Sequence, residues 1–211
     1  MRVLDILDFS TQTRDQIYFN VQHFADRRQA QAGLRRAAVT ITVFRYNGEP
    51  AIILTRRSGS LRNHSGQWAL PGGRIDEGEN AVQAALRELH EEINLPLDHS
   101  HVVGTLDDYL TRSGYIITPV VIWCDAQYSA LEPNLDEVDS IHAFTFGELS
   151  RGDSPFLESI PESDRPVLSM HYGDDRIFAP TGALLYQFRE VAICGRETRV
   201  IDFEQPVFAW R

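Results

Sequence analysis

The chain has 211 residues, 43% hydrophobic and 24% charged, enough to bury a core without cross-links. Thirty acids against twenty bases give a formal charge of -10, which argues against nucleic acid or an anionic membrane surface as the main partner. Two cysteines, Cys124 and Cys194, are too few for a disulfide framework or a zinc site, so a reducing, cytoplasmic setting is expected. No apolar run approaches the roughly 20 residues of a membrane span, and Asp5, Asp8, Arg14 and Asp15 stand where a signal peptide is apolar.

Residues 14–36 carry Ile17, Val21 and Phe24 at helical spacing. That predicts an amphipathic helix packed on the domain or on a second copy of the chain in a homodimer. The β-branched runs 37–44 and 51–57 flank Asn47-Gly48 and predict a hairpin. A short extended piece, 68–73, leads into a helix from about 79 to 93, closed by Asn94 and Pro96. Residues 101–111 and 114–124 read as a second hairpin turning at Ser113-Gly114, and a strand is expected near 141–146. The stretch 151–166 lacks periodicity and reads as a loop or lid. A helix over 181–191 and a short strand near 198–203 complete the chain. Without a regular βαβ rhythm, this order predicts an α/β fold with a mixed sheet and helices on both faces.

The charges fall in blocks. From Ala51 to Ile75 there are four arginines (Arg56, Arg57, Arg62, Arg74) and no acid; from Asp76 to Glu92 there are six acids and one arginine. An anion-binding stretch running into a cation-binding stretch suits a metal-assisted phosphate enzyme, whereas a plain solvated surface mixes the signs. On the second block's helix, Glu88, Glu91 and Glu92 fall within an arc of roughly 100°, beside an apolar stripe of Val82, Ala85, Leu86, Leu89 and Ile93. Only Arg87, one turn before Glu91, relieves the local repulsion. A hard divalent cation (Mg²⁺, Mn²⁺ or Ca²⁺) is the natural counter-charge for such oxygen ligands, although three glutamates on one helix are also a common solvated face.

The full spacing is more specific. Gly73, five residues, Glu79, seven residues, then Arg87-Glu88-Leu89-His90-Glu91-Glu92-Ile93-Asn94-Leu95 resembles the Nudix box of the Nudix hydrolases. Asn94 stands where that family has glycine; Asn is the next residue to tolerate a left-handed helix cap. The resemblance implies a Nudix-type α/β/α sandwich over residues 36–192, preceded by an N-terminal helical extension (1–35) and followed by a tail (193–211) packing on the domain. It also implies Mg²⁺- or Mn²⁺-dependent hydrolysis of a nucleoside diphosphate linked to another moiety. Glu88, Glu91 and Glu92 are the implied metal ligands, joined by the Gly73 carbonyl, and Arg87 pairs with Glu79 to hold the loop on the helix. Glu91, Glu92 or Glu137 is the implied base; an ordinary acidic loop residue is the competing reading of Glu137.

Upstream, Leu54-Thr55, Arg57-Ser58, Arg62, Gly66 and Leu70-Pro71-Gly72-Gly73 are similar to the extra motif of Nudix enzymes acting on coenzyme A, with Leu70 in a usual phenylalanine position. Ser113–Val121 resembles the same group's second hairpin. The implied substrate is coenzyme A or a derivative, cut to 3′,5′-ADP and 4′-phosphopantetheine. Arg56, Arg57 and Arg62 offer bidentate contacts to its phosphates, and Trp68 either stacks on adenine or packs in the core. His64 reads as a polar loop residue. The alternatives are ADP-ribose, a dinucleotide or a nucleoside triphosphate as substrate, or a silent nucleotide-binding regulator.

Overall fold

The computed structural model describes residues 8–59 and 66–210. The first seven residues of the expected N-terminal extension, together with Arg62 and His64, lie outside the described residues.

The long strand β1 (Arg35–Tyr46) organises the main sheet. It pairs antiparallel with β2 (Glu49–Arg57) only from Val43 to Tyr46, across the Asn47-Gly48 turn, where both residues have positive φ, 51° and 87°. Beyond Val43 the two strands separate. The wedge between them holds β3 (Trp68–Ala69), paired with Thr55 and Arg56 of β2, and β4 (Gly72–Arg74), paired with Ala37 to Val39 of β1. Thr40 N–H donates to the Pro71 carbonyl at 2.8 Å and pins the wedge.

On its other side β1 runs parallel to β7 (Tyr115–Gln127), which pairs antiparallel with β5 (Val102–Thr105) and β6 (Tyr109–Leu110). Strand β8 (Val138–Thr145) lies antiparallel along β2, and the short helix α3 (Phe146–Leu149) follows it.

Alternation along these strands builds two cores. Ile41, Val43, Ile52 and Leu54 face one side, under α1 (Thr11–His23) and α4 (Thr181–Phe188). Ala38, Phe44, Ala51 and Ile53 face the other, under Ala84, Ala85, Leu89 and Ile93 of α2 (Ala81–Ile93). The result is a mixed sheet with helices on both faces, the α/β arrangement expected from the order of elements. Among the described residues no helix is long and apolar enough to cross a membrane.

Three sequence expectations change. The first helix spans Thr11–His23, not 14–36. Beyond it, the Arg27 N–H donates to Asp107 Oδ1 (2.7 Å) and the Gln29 N–H to Asp108 Oδ2 (2.9 Å). Both acids are buried, and they hold this segment in a non-helical path. Within the helix Ile17 and Val21 are buried, and Asn20 Nδ2 donates to the Ala192 carbonyl at 2.8 Å, so α1 packs on the domain.

The expected loop 151–166 contains β9 (Phe156–Ile160) and the start of β10 (Ser163–Tyr172), which with β11 (Asp175–Phe178) form a second antiparallel sheet. Val167 to Met170 are buried in succession, so no alternation marks the strand. Residues 198–203 are not a strand; Glu204 makes one bridge, to Val167, and Arg199 holds the segment by donating to Asp107 Oδ1 at 2.8 Å and to the Ala25 carbonyl.

The C-terminal segment is fastened through Glu204, 1% exposed. Its carboxylate accepts from Arg112, from Arg165 Nη2 (2.9 Å) and from Ser163 Oγ (2.9 Å). The Tyr109 hydroxyl donates to the Phe203 carbonyl at 2.9 Å. Burial works to raise the Glu204 carboxyl, but the hydrogen bonds from Arg112, the Gln205 N–H, Ser163 and Arg165 prevail and hold it at about 2.

The stabilisation is therefore full above the ordinary carboxylate value of 4.5 and is lost as the pH falls towards 2. Glu204→Gln is expected to cost about 1–3 kcal/mol at neutral pH, the arginines being partly solvated. Denaturant melts should show the deficit narrowing between pH 4.5 and about 2. A deficit constant across that window would place the stabilisation in packing rather than in charge.

Candidate active site

The site is built on the loop from Gly72 to Asn80 and the helix it enters. Asn80 caps α2 by accepting from the Gln83 N–H, and Gln83 returns the bond to the Asn80 N–H. At the other end Asn94 adopts φ 53°, ψ 39°, the left-handed conformation required there. Arg87 joins loop to helix. Its Nε and Nη2 hold both Glu79 oxygens at 2.9 and 3.0 Å, Nη2 also reaches the Arg74 carbonyl, and Nη1 donates to Glu88 Oε1 and Glu91 Oε2, each at 2.9 Å. The Arg87 hydrogen bonds to Glu79, with that from the Asp76 N–H, hold the Glu79 carboxyl below the usual range.

Glycine at 73 follows from close approach: a Cβ there would come 2.2 Å from Glu88 Oε1. The apolar stripe of α2 buries Leu89 and Ile93, and one turn of that stripe carries Glu92 inward to 3% exposure.

Glu137 arrives from far in sequence. The last carbonyls of α2 need partners, and the loop before β8 supplies them: Glu132 N–H donates to Ile93 O (3.1 Å) and Asn134 N–H to Glu92 O (2.8 Å). The Glu137 carbonyl in turn accepts from the Ser58 N–H at 2.9 Å. Glu88, Glu92 and Glu137 thereby each offer a carboxylate oxygen within 4.8 Å of the others. Glu91 stands outside this group, more than half exposed, on Arg87.

Burial pushes the Glu92 carboxyl up to about 8; Arg57 and the Gly72 N–H oppose the rise, while Glu88 and Glu137 add to it. Burial also raises Glu88, against its bond from Arg87. The arrangement fits a hard divalent cation: oxygen donors only, mutually repelling, one of them buried.

Beside the carboxylates opens a cavity of about 430 Å³ lined by residues of the wedge, β1, β7, β11, α4 and the tail. Arg57 and Gly72 belong to both places. Each lines the cavity, and each touches Glu92: Arg57 Nη1 lies 3.9 Å from Oε1, and the Gly72 N–H donates to Oε2 at 3.2 Å.

Arg56 and Trp68 also line the cavity. The Arg56 guanidinium stacks over the indole at 4.5 Å, and both donate to Asp175 Oδ2 at 2.9 Å. The arginine stretch is acid-free in sequence but not in space. Burial works to raise the Asp175 carboxyl, but the bonds from the Arg176 N–H, Trp68 and Arg56 hold it below the usual range. Trp68 is half-buried, edge-on to His142 and Tyr172, a packing role combined with a face on the cavity. No periodicity or motif in the sequence pointed to Asp175.

A family profile described as the NUDIX domain matches residues 34–168. The chain is similar to an uncharacterized Nudix hydrolase, NudL, of Pectobacterium atrosepticum, 34% identical over 157 residues, 72% of this chain and 80% of that protein. It is 44% identical to the NudL of Escherichia coli over 110 residues, 51% of this chain and 55% of the relative. The Yersinia pestis NudL matches at 44% over 88 residues, 41% of this chain and 44% of the relative, so the chain spans about half the length of these two. Among solved structures it is similar to the NUDIX domain of Shewanella oneidensis NrtR complexed with ADP ribose. There the TM-score is 0.46 at 18% identity, with 56% of this chain and 77% of that one covered.

A raised carboxyl contributes its stability while protonated, so the contribution of Glu92 is complete below 4.5 and is lost as the pH rises through about 8. Glu92→Gln keeps the neutral shape at every pH. Without divalent ions it is expected to melt about 3–6 °C above the parent at pH 8.5, with the difference vanishing near pH 4.5. An equal or lower melting temperature at pH 8.5 would show that Glu92 is charged without cost in the ion-free protein.

Proposed function

The chain belongs to the Nudix hydrolases, enzymes acting on phosphorus anhydrides, and on that premise we propose that it cuts the diphosphate of coenzyme A or a derivative into 3′,5′-ADP and 4′-phosphopantetheine. The observation that carries the reading is that the carboxylate group and the arginine-lined cavity share Arg57 and Gly72. A diphosphate lying against that boundary meets hydrogen-bond donors on one side and carboxylates on the other.

Glu88, Glu91 and Glu92 would hold Mg²⁺ or Mn²⁺ with the Gly73 carbonyl, Glu91 turning from Arg87 to do so. The bound ion supplies charge neutralisation for the diphosphate and acidity for the attacking water. Glu137, exposed on its own loop and drawn to Glu88 and Glu92, is the base in this reading: it takes the water's proton and passes it to solvent. Arg87 orients Glu88 and keeps the loop on the helix.

Support for coenzyme A comes from the Leu54–Gly73 motif and from its chemistry. The molecule carries a 3′-phosphate besides its diphosphate, which gives Arg57 and Arg62 separate anions to bind. Arg56, already paired with Asp175, orients Trp68 as the stacking face for adenine. A silent regulator has no need for the repelling carboxylates.

Mass spectrometry of products from coenzyme A, ADP-ribose and NADH is expected to show scission within the diphosphate, with one heavy oxygen from labelled water in a single phosphate product. A much higher kcat/KM for ADP-ribose would overturn the coenzyme A assignment. Glu92→Gln should lower turnover by at least about a hundredfold and weaken ion binding, whereas Glu137→Gln should lower turnover with ion affinity reduced less than in Glu92→Gln. Arg57→Lys keeps charge but loses the guanidinium fork, so kcat/KM for coenzyme A should fall by roughly 1.5–3 kcal/mol with the melting temperature little changed. Early melting with kcat/KM unchanged would make Arg57 scaffold.

A further inference from the structure

The cavity has an apolar lining that the arginines do not explain. Besides Arg57 and Gly72 it is lined by Val39, Ile117, Phe178, Leu184 and Phe208. Phe208 belongs to the C-terminal segment, beyond the 34–168 region matched by the family profile. It is an aromatic side chain left 60% exposed although it borders a cavity, edge-on to Phe178 at 5.6 Å. Aromatic surface kept in water at the mouth of a site suits a ligand that covers it.

The segment is not a loose end. Glu204 is clasped by Arg112, Arg165 and Ser163. Gln205 Oε1 accepts from the Arg112 N–H at 2.7 Å, and Trp210 Nε1 donates to the Gln205 carbonyl at 2.8 Å. The Arg112 guanidinium sits over the Trp210 ring at 4.9 Å. Two tail residues next to this clasp, Phe208 and Ala209, line the cavity together with Gln205.

We propose that the segment Glu204–Trp210 is the selectivity wall of the cavity: Phe208 contacts the uncharged organic arm of the substrate beyond its diphosphate, and Glu204 is the positioning residue that holds the wall. Residues 203–210 contain no base, and Arg176, the lining base beside Phe178, lies over that ring and donates to Ser169 Oγ, so this wall suits a carbon-rich chain such as a pantetheine arm or its acyl extension. The inference rests on the diphosphatase reading for the location of the phosphates, but its test does not depend on turnover.

Equilibrium binding without divalent ions, by titration calorimetry, would compare coenzyme A with 3′,5′-ADP, which lacks the arm. Phe208→Ala is expected to weaken coenzyme A about 5- to 20-fold and 3′,5′-ADP less than twofold, with Phe208→Leu recovering most of the loss. Glu204→Gln should show the same selective loss along with faster proteolysis of the tail. Because Phe208 is exposed, its variants should melt with the parent. In turnover, Phe208→Ala should raise KM for coenzyme A with kcat nearly unchanged. Equal weakening of both ligands, or of neither, would overturn the wall. Selective weakening in a protein that fails to cut coenzyme A would uphold the wall and sink the coenzyme A diphosphatase reading instead.

Discussion

One guanidinium makes the site possible. Arg87 spends its donors on Glu79, the Arg74 carbonyl, Glu88 and Glu91, so a single cation ties a nine-residue loop to a helix and separates three carboxylates. A lysine in its place offers a point charge without the planar fork that holds both Glu79 oxygens at once. Because Arg87 is fully engaged, it cannot also serve Glu92. That residue is left with Arg57 at 3.9 Å and one backbone N–H, which is too little to offset its burial. The undercompensated carboxyl is a property of the arrangement, and it is what suits this face to a cation rather than to a salt-bridged surface.

The sheet provides the second condition. Strands β1 and β2 stay paired only near their turn, and the gap that opens beyond Val43 is filled by β3 and β4. The wedge brings the Gly72 and Gly73 backbone to the helix on one side and Trp68 and Leu70 to the cavity on the other. At both glycines the space is closed: a Cβ at Gly72 would lie 2.3 Å from the Ala38 carbonyl. The contact between carboxylates and cavity is thus part backbone, the Gly72 N–H, and part side chain, the Arg57 guanidinium.

The sequence disclosed what is local. The 100° arc of glutamates, the apolar stripe and the Asn94 cap lie within one helix, and α2 follows them residue by residue. The two hairpins lie where Asn47-Gly48 and Ser113-Gly114 marked them. What stayed hidden depends on distant partners. Glu137, offered by the resemblance as one of three candidate bases, meets Glu88 and Glu92 because two helix-end carbonyls take amides from its loop, and Asp175, which no sequence signal marked, reaches Arg56 from a strand 119 positions away. The first helix stops short because buried Asp107 and Asp108 hold the segment after it, an effect with no signature in residues 14–36. The β10 strand is buried in succession at Val167–Met170, and a run without alternation carries no period to read.

The supports of the two ends of the site are disjoint. Arg87, Gly72 and the loop 132–137 hold the carboxylates, whereas Arg112, Arg165 and Ser163 hold the tail, and no residue belongs to both sets. Groups held by separate sets of partners change stability nearly independently, although both ends border one cavity. In the proposed reading the carboxylates meet the diphosphate and the wall formed by Phe208 meets the arm, so the wall can differ in shape with Glu88, Glu92 and Glu137 kept in place. On that reading hydrolysis belongs to the loop and helix, and the choice of arm to the C-terminal segment.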